Sequence, residues 1–183
     1  MLMKLAHLIP SFLFFGLILF TSCSDARKEK LDKITALETK LQQDSLKVRD
    51  EVAAYNLQVA YTDFAASFPK DTLAPSYLFK AANLSMSMNW GKSSIDIINK
   101  FTEAYPDDKR IPEALFYKAF VYDNQLNDDA KAGECYRNFV KRFPNHAFAA
   151  SAEASIKNLG KTDEELIREF ERMNSDTTKA AIQ

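Results

Sequence analysis

Histidine and glycine are scarce in this chain, at two and four of 183 residues. Past the first 22 residues His146 is the only histidine, so no second imidazole exists to share a metal ion. The glycines of that region are Gly91, Gly133 and Gly160, too few and too scattered for a phosphate-cradling loop or a dinucleotide fingerprint. With only six prolines besides, an all-β chain full of tight turns is disfavoured and long helices are favoured. An excess of either charge is missing as well. The formal charge is -1 with both signs interspersed, and the lack of a basic stripe argues against nucleic acid as a partner. What is abundant is apolar: 46% of the residues, 14 of them Phe.

The first 22 residues differ from the rest. Lys4 is their only Lys or Arg, no acid precedes Asp25, and Leu8 to Phe20 is almost wholly apolar. That run is shorter than the roughly 20 residues a membrane-spanning helix needs. A basic start, a short apolar run and small residues before a cut make a secretory signal peptide. The run ends Leu19-Phe20-Thr21-Ser22-Cys23, which resembles the bacterial lipobox, although Phe20 departs from the aliphatic residue usual there. The resemblance implies cleavage before Cys23 and acylation of that residue; the alternative is an uncleaved anchor with Cys23 a plain thiol. Several acyl chains give a lasting anchor, since each buried methylene contributes about 0.8 kcal/mol and one chain alone binds marginally. An acylated Cys23 leaves Cys135 without a disulfide partner, so stability would come from packing.

The expected organisation is a signal peptide over 1–22, lipidated Cys23 with a tether over 23–30, a helical domain over 31–173 and a flexible tail over 174–183. Leu31, Ile34, Leu37 and Leu41 lie on one face of a helix near 27–43, either a packed helix or a short coiled coil. Beyond it a repeat dominates. Tyr61-x2-Phe64-x3-Phe68-Pro69, Ile98-x2-Phe101-x3-Tyr105-Pro106 and Tyr136-x2-Phe139-x3-Phe143-Pro144 share one pattern, with prolines 37 and 38 residues apart. Pro75 and Pro112, Phe79 and Phe116, and Ala82 and Ala119 keep the same register. Aromatics at i, i+3 and i+7 form one helical ridge. The following Pro ends the helix, and a Pro in the next first turn is tolerated. Further helices are predicted at 47–68, 75–88, 92–104, 111–124, 128–142, 147–159 and 163–173. The last opens with the capping box Thr162 to Glu165 and reads as a polar terminal cap.

Ala132-x3-Tyr136-x2-Phe139-x4-Pro144 resembles the second helix of a tetratricopeptide repeat, and Ala119-x2-Tyr122 the spacing of its first helix. The period is longer than the family's 34 residues. The longer period and the Phe-x3-aromatic-Pro ending are similar to repeats of BamD-like outer-membrane assembly lipoproteins and of the periplasmic coordinator of peptidoglycan synthesis. Ser85 and Ser94 depart from the usual Tyr and Ala in the middle repeat. The resemblance implies an all-α fold, an α-solenoid of stacked antiparallel helix pairs, with about three repeats plus a capping helix. It also implies that first helices line a concave groove, placing Phe79, Asn83 and Met86 there in one repeat and Phe116, Phe120, Asp123 and Asn124 in the next. Aromatic anchors beside Asn and Asp suit a peptide or partner helix. The competing reading packs Phe79, Phe116 and Phe120 between helices, above all Phe116, since Phe116 and Tyr117 cannot face one way.

Catalysis has little footing. Asp107-Asp108 and Asp128-Asp129 sit where carboxylates cap helices, His146 lies in a turn, and Cys135 reads as a packed residue. No catalytic residue, metal, cofactor or small-molecule substrate is expected. The reading is a non-catalytic, lipid-anchored scaffold at the outer membrane, facing the periplasm and binding envelope proteins, with a place in outer-membrane protein assembly. The alternatives are a coiled-coil coordinator of cell-wall synthesis and, in another class, a periplasmic hydrolase or sugar-binding lipoprotein.

Overall fold

The computed structural model describes the backbone of residues 12–44 and 50–180, and side chains within 25–43, 50–162 and 164–172. Residues 1–11 of the expected signal peptide lie outside this range, as does the side chain of Cys23. The described residues form eight helices and no strand: α1 (Phe12–Asp44), α2 (Glu51–Ser67), α3 (Ala74–Ser87), α4 (Gly91–Ala104), α5 (Ile111–Asn124), α6 (Asp129–Arg142), α7 (Ala149–Asn158) and α8 (Asp163–Ala180). The all-α class and the tetratricopeptide-like succession of helices are as expected from the repeat. No helix among the described residues is long and apolar enough to cross a membrane. The chain divides into two compact units, with the boundary inside α3 after Leu84.

In the first unit α1 packs on α2. Ile34 is fully buried at the centre of the Leu31–Leu41 stripe. The face of α2 that it meets is rich in alanine, with Ala53, Ala54, Ala60 and Ala65 buried beside Leu57, Tyr61 and Phe64. Small side chains let two helix axes approach, and the aromatics fill what remains. Asp50 caps α2, its carboxylate accepting from the Ala53 N–H at 2.9 Å. Tyr77 of α3 stacks on Tyr61 with ring centroids 5.3 Å apart and meets Phe64 edge-on at 4.9 Å.

Two expectations about the ends of the domain differ from the structure. Residues 24–30, read as a tether, are helical within α1, where the Arg27 guanidinium meets Asp71 at 2.5 Å and the Lys30 ammonium meets Asp63. Ser24 to Lys30 contains no helix breaker, so a helix nucleated by the packed stripe propagates back through it. Residues 174–180, read as tail, likewise continue α8.

The second unit, together with the α2–α3 turn of the first, shows why the prolines recur. Phe68, Tyr105 and Phe143 each end a helix with nearly the same backbone (φ -131, -133 and -134; ψ 61, 60 and 56). Each donates its N–H to the Phe four residues back. Each carbonyl then accepts from residue 71, 108 or 146, whose own carbonyl accepts from Ala74, Ile111 or Ala149 at the next helix start. One turn is thus built three times. The other hairpin turn recurs as well: Asn89 and Asn127, 38 residues apart, both take positive φ (61° and 50°), where Asn is tolerated better than most residues.

The core of this unit gathers Ala119, Ala132, Tyr136, Phe139 and Ala152 from α5, α6 and α7, bordered by Leu115, Phe116, Phe143, Phe148 and Ile156. The ridge read from sequence on α6 is therefore buried between its neighbours. Cys135 borders the same cluster, and burial pushes its thiol pKa up, as suits a packed and unreactive side chain.

Candidate protein-binding surface

The predicted groove residues fall on α3 and α5 and are divided between the two units. In the first, Phe79 is buried (9% exposed) and belongs to the core, which corrects its assignment as a groove anchor. It follows Leu78, also buried, because α3 carries apolar residues on both sides of that turn. Asn83 is half-buried, and its Oδ1 is enclosed without a hydrogen-bond donor.

In the second unit Met86 is half-buried, and its carbonyl accepts from the Gln125 side-chain amide at 2.8 Å, which ties the two hairpin tips together. Phe116 is half-buried and borders the core rather than standing out from it. Its ring lies 4.6 Å from Phe148, 5.6 Å from Phe139 and 5.8 Å from Tyr136, inside an aromatic cluster. Tyr117 beside it donates to Glu113 at 2.7 Å; burial and that bond push its phenol up to about 12.

Phe120, Asp123 and Asn124 remain together at the surface end of α5. Phe120 is 37% exposed. Asn124 donates from Nδ2 to the Phe120 carbonyl at 3.2 Å, holding the amide over the last turn. Asp123 accepts from the Tyr136 hydroxyl at 3.2 Å. Burial, with the Asp129 carboxylate nearby, raises the Asp123 pKa despite that hydrogen bond. Burial also pushes the Tyr136 phenol up to about 12, so it stays a neutral donor at physiological pH.

Asp123 and Asn124 open onto a polar cleft of about 640 Å³, whose other walls include Asn127, Asp129, Ser155, Asn158 and Lys161. Lys161 is occupied by Glu169 at 2.5 Å, so the cleft keeps its acidic character. Sequence reasoning missed Ser155 and Asn158, because α7 lacks the aromatic ridge that marks the other helices. Among the described residues no three His, Cys, Asp or Glu side chains come together as a metal site. One acid of each pair accepts from backbone: Asp128 caps α6 through the Lys131 N–H at 3.0 Å, whereas Asp108 closes the turn before α5 through the Arg110 N–H at 2.9 Å.

Three near-identical turns and the buried aromatic ridge of α6 define a helical repeat. Residues 113–146, spanning α5, α6 and the following turn, match the model of the tetratricopeptide repeat, which supports a tetratricopeptide-repeat protein. No curated protein matches the chain at a significant level. Tetratricopeptide domains generally bind other proteins and are typically non-catalytic scaffolds.

Proposed function

We propose that this protein is a non-catalytic scaffold that holds another protein against α5, with Phe120 as apolar anchor and Asp123 and Asn124 as polar partners. The observation that carries this reading is the exposed Phe120 beside two polar side chains at the mouth of an open acidic cleft. An aromatic ring costs little conformational entropy when it is immobilised, and adjacent polar groups orient what it grips.

The proposal extends to location: acylation at Cys23, at the end of the lipobox-like Leu19–Cys23 run, would tether the protein to the outer membrane, on its periplasmic side. The long repeat and the Phe-x3-aromatic-Pro ending make a place in outer-membrane protein assembly the favoured setting. In the coiled-coil coordinator reading, α1 would supply an oligomerising stripe. Against it, the Ile34 face of α1 is covered by α2 in the same chain.

Crosslinked pull-down from membranes, comparing wild type with Phe120→Ala, tests the surface; a partner recovered equally by both contradicts it. Metabolic labelling with a clickable palmitate analogue tests the anchor, since Cys23→Ser abolishes incorporation if the tether is as proposed.

A further inference from the structure

Counted from the helix start, the eighth residue is Ile98 in α4, Tyr136 in α6 and Phe170 in α8. The first two are 1% and 0% exposed, whereas Phe170 is 61% exposed and Ile167, one turn earlier, 57%. Tyr136 is buried because neighbouring helices cover it: Phe116 of α5 lies against its ring, and Ser155 of α7 hydrogen-bonds its hydroxyl. The same ridge on α8 has no such cover among the described residues. Beside it lies a largely apolar cleft of about 680 Å³ between α7 and α8, with Ala154, Leu166, Ile167 and Phe170 in its walls and Lys157, Asn158, Glu169 and Glu171 lining it as well.

The charges around the ridge select what would cover it. At 100° per residue, Glu164 and Glu171 fall along the edge of the Ile167–Phe170 face, while Arg168 and Arg172 fall on the far side. Glu164 and Glu171 have no ion-pair partner among the described residues. On the other side Glu169 holds both Lys161 at 2.5 Å and Lys157 at 3.2 Å, so that side carries one net positive charge and the free acids lie only along the Glu164–Glu171 edge. An antiparallel second α8 centred on this face would set Glu171 near Glu164 of the other copy, a like-charge contact.

We infer that the α7–α8 cleft is a second docking surface that takes an amphipathic helix from another protein, one whose apolar ridge is flanked by Lys or Arg. Such a helix would continue the packing that buries Ile98 and Tyr136, and its cations would meet Glu164 and Glu171. This surface is separate from Phe120 and stands without the proposed role of that residue.

The test uses the full chain and two short synthetic helices with the same leucine face, one flanked by lysine and the other by glutamate. Fluorescence anisotropy gives affinity, and hydrogen exchange gives location. Binding of the lysine helix with protection centred on 154–171, weakened about tenfold by Phe170→Ser, supports the inference. Charge reversal at Glu164→Lys and Glu171→Lys should then transfer the preference to the glutamate helix. Circular dichroism checks that Phe170→Ser, a change at an exposed position, leaves the helices intact. Equal affinity for both peptides, protection elsewhere, or indifference to Phe170→Ser overturns it. So does self-association of the chain that Phe170→Ser abolishes, because the occupant would then be a second copy.

Discussion

His146 Nδ1 accepts a hydrogen bond from the backbone N–H of Phe148 at 3.2 Å, the place taken by Asp108 toward Arg110 and by Asp71 toward Leu73, each at 2.9 Å. Three different points of the chain thus close one turn with a side-chain acceptor two residues before its donor. His146 is therefore a turn residue. His146→Asp should keep the turn hydrogen bond and lose only the ring contact with Phe139, while His146→Ala loses both and falls about 1 kcal/mol further through the freed N–H. Urea unfolding of the two variants distinguishes these outcomes.

Gly91 opens α4 where the adjacent hairpin tip comes close. A Cβ there would lie 2.8 Å from Leu126 Cδ2 and 3.2 Å from Gln125 Cβ. The leucine methyl can swing away, but the Gln125 backbone segment cannot follow easily. Gly91→Ala should lower stability by about 1 kcal/mol, since overpacking of about 1–3 kcal/mol outweighs the helix-propensity gain. Fluorescence of the adjacent and only tryptophan, Trp90, reports the unfolding midpoint.

Much of the fold was legible because its punctuation is chemical. Pro69, Pro106 and Pro144 stop helices wherever they occur, and the ridge ahead of each needs an apolar neighbour. From the end of α2 to the start of α8 the helix ends were read to within two residues, whereas the start of α1 and the end of α8 were not. Side-chain direction was harder. Phe116 and Phe120 are one turn apart and read alike, yet Phe116 meets Phe148, contributed by a turn 32 residues further along. The exposure of Ile167 and Phe170 was also illegible: the residues of α8 spell an amphipathic cap, and only the positions of neighbouring helices reveal that its apolar side is left open.

The Glu38 carboxylate of α1 is a pH-sensitive tie. Burial alone would raise its pKa, but hydrogen bonds from Lys80 (2.7 Å) and Tyr61 (2.6 Å) outweigh burial and bring it below the ordinary range. A depressed folded pKa means this stabilisation is complete above the unfolded carboxylate range and disappears as pH falls through the folded value. Glu38→Gln should therefore lower the urea midpoint at pH 7 and match wild type in strong acid. Parallel urea melts at the two pH values check this.

Asp123 has the opposite sign. Its pKa is raised by burial and by Asp129, so the ionised form costs stability at neutral pH, and that cost is relieved as pH falls through the raised folded value. Asp123→Asn keeps an acceptor for the Tyr136 hydroxyl and removes the charge. Its thermal midpoint should exceed wild type at pH 7, with the gap closing in acid. If Asp123 also orients a partner, the same variant binds more weakly while folding better.

The separation of a packing ring from a contact ring on one helix is the centre of this account, and paired unfolding and partner-binding curves for Phe116→Ala and Phe120→Ala test it most directly. Phe116→Ala should lose about 3 kcal/mol of stability, while Phe120→Ala should lose under about 1 kcal/mol and reduce capture of the crosslinked partner at least tenfold. Equal stability losses in the two variants, or full partner capture by Phe120→Ala, would contradict it.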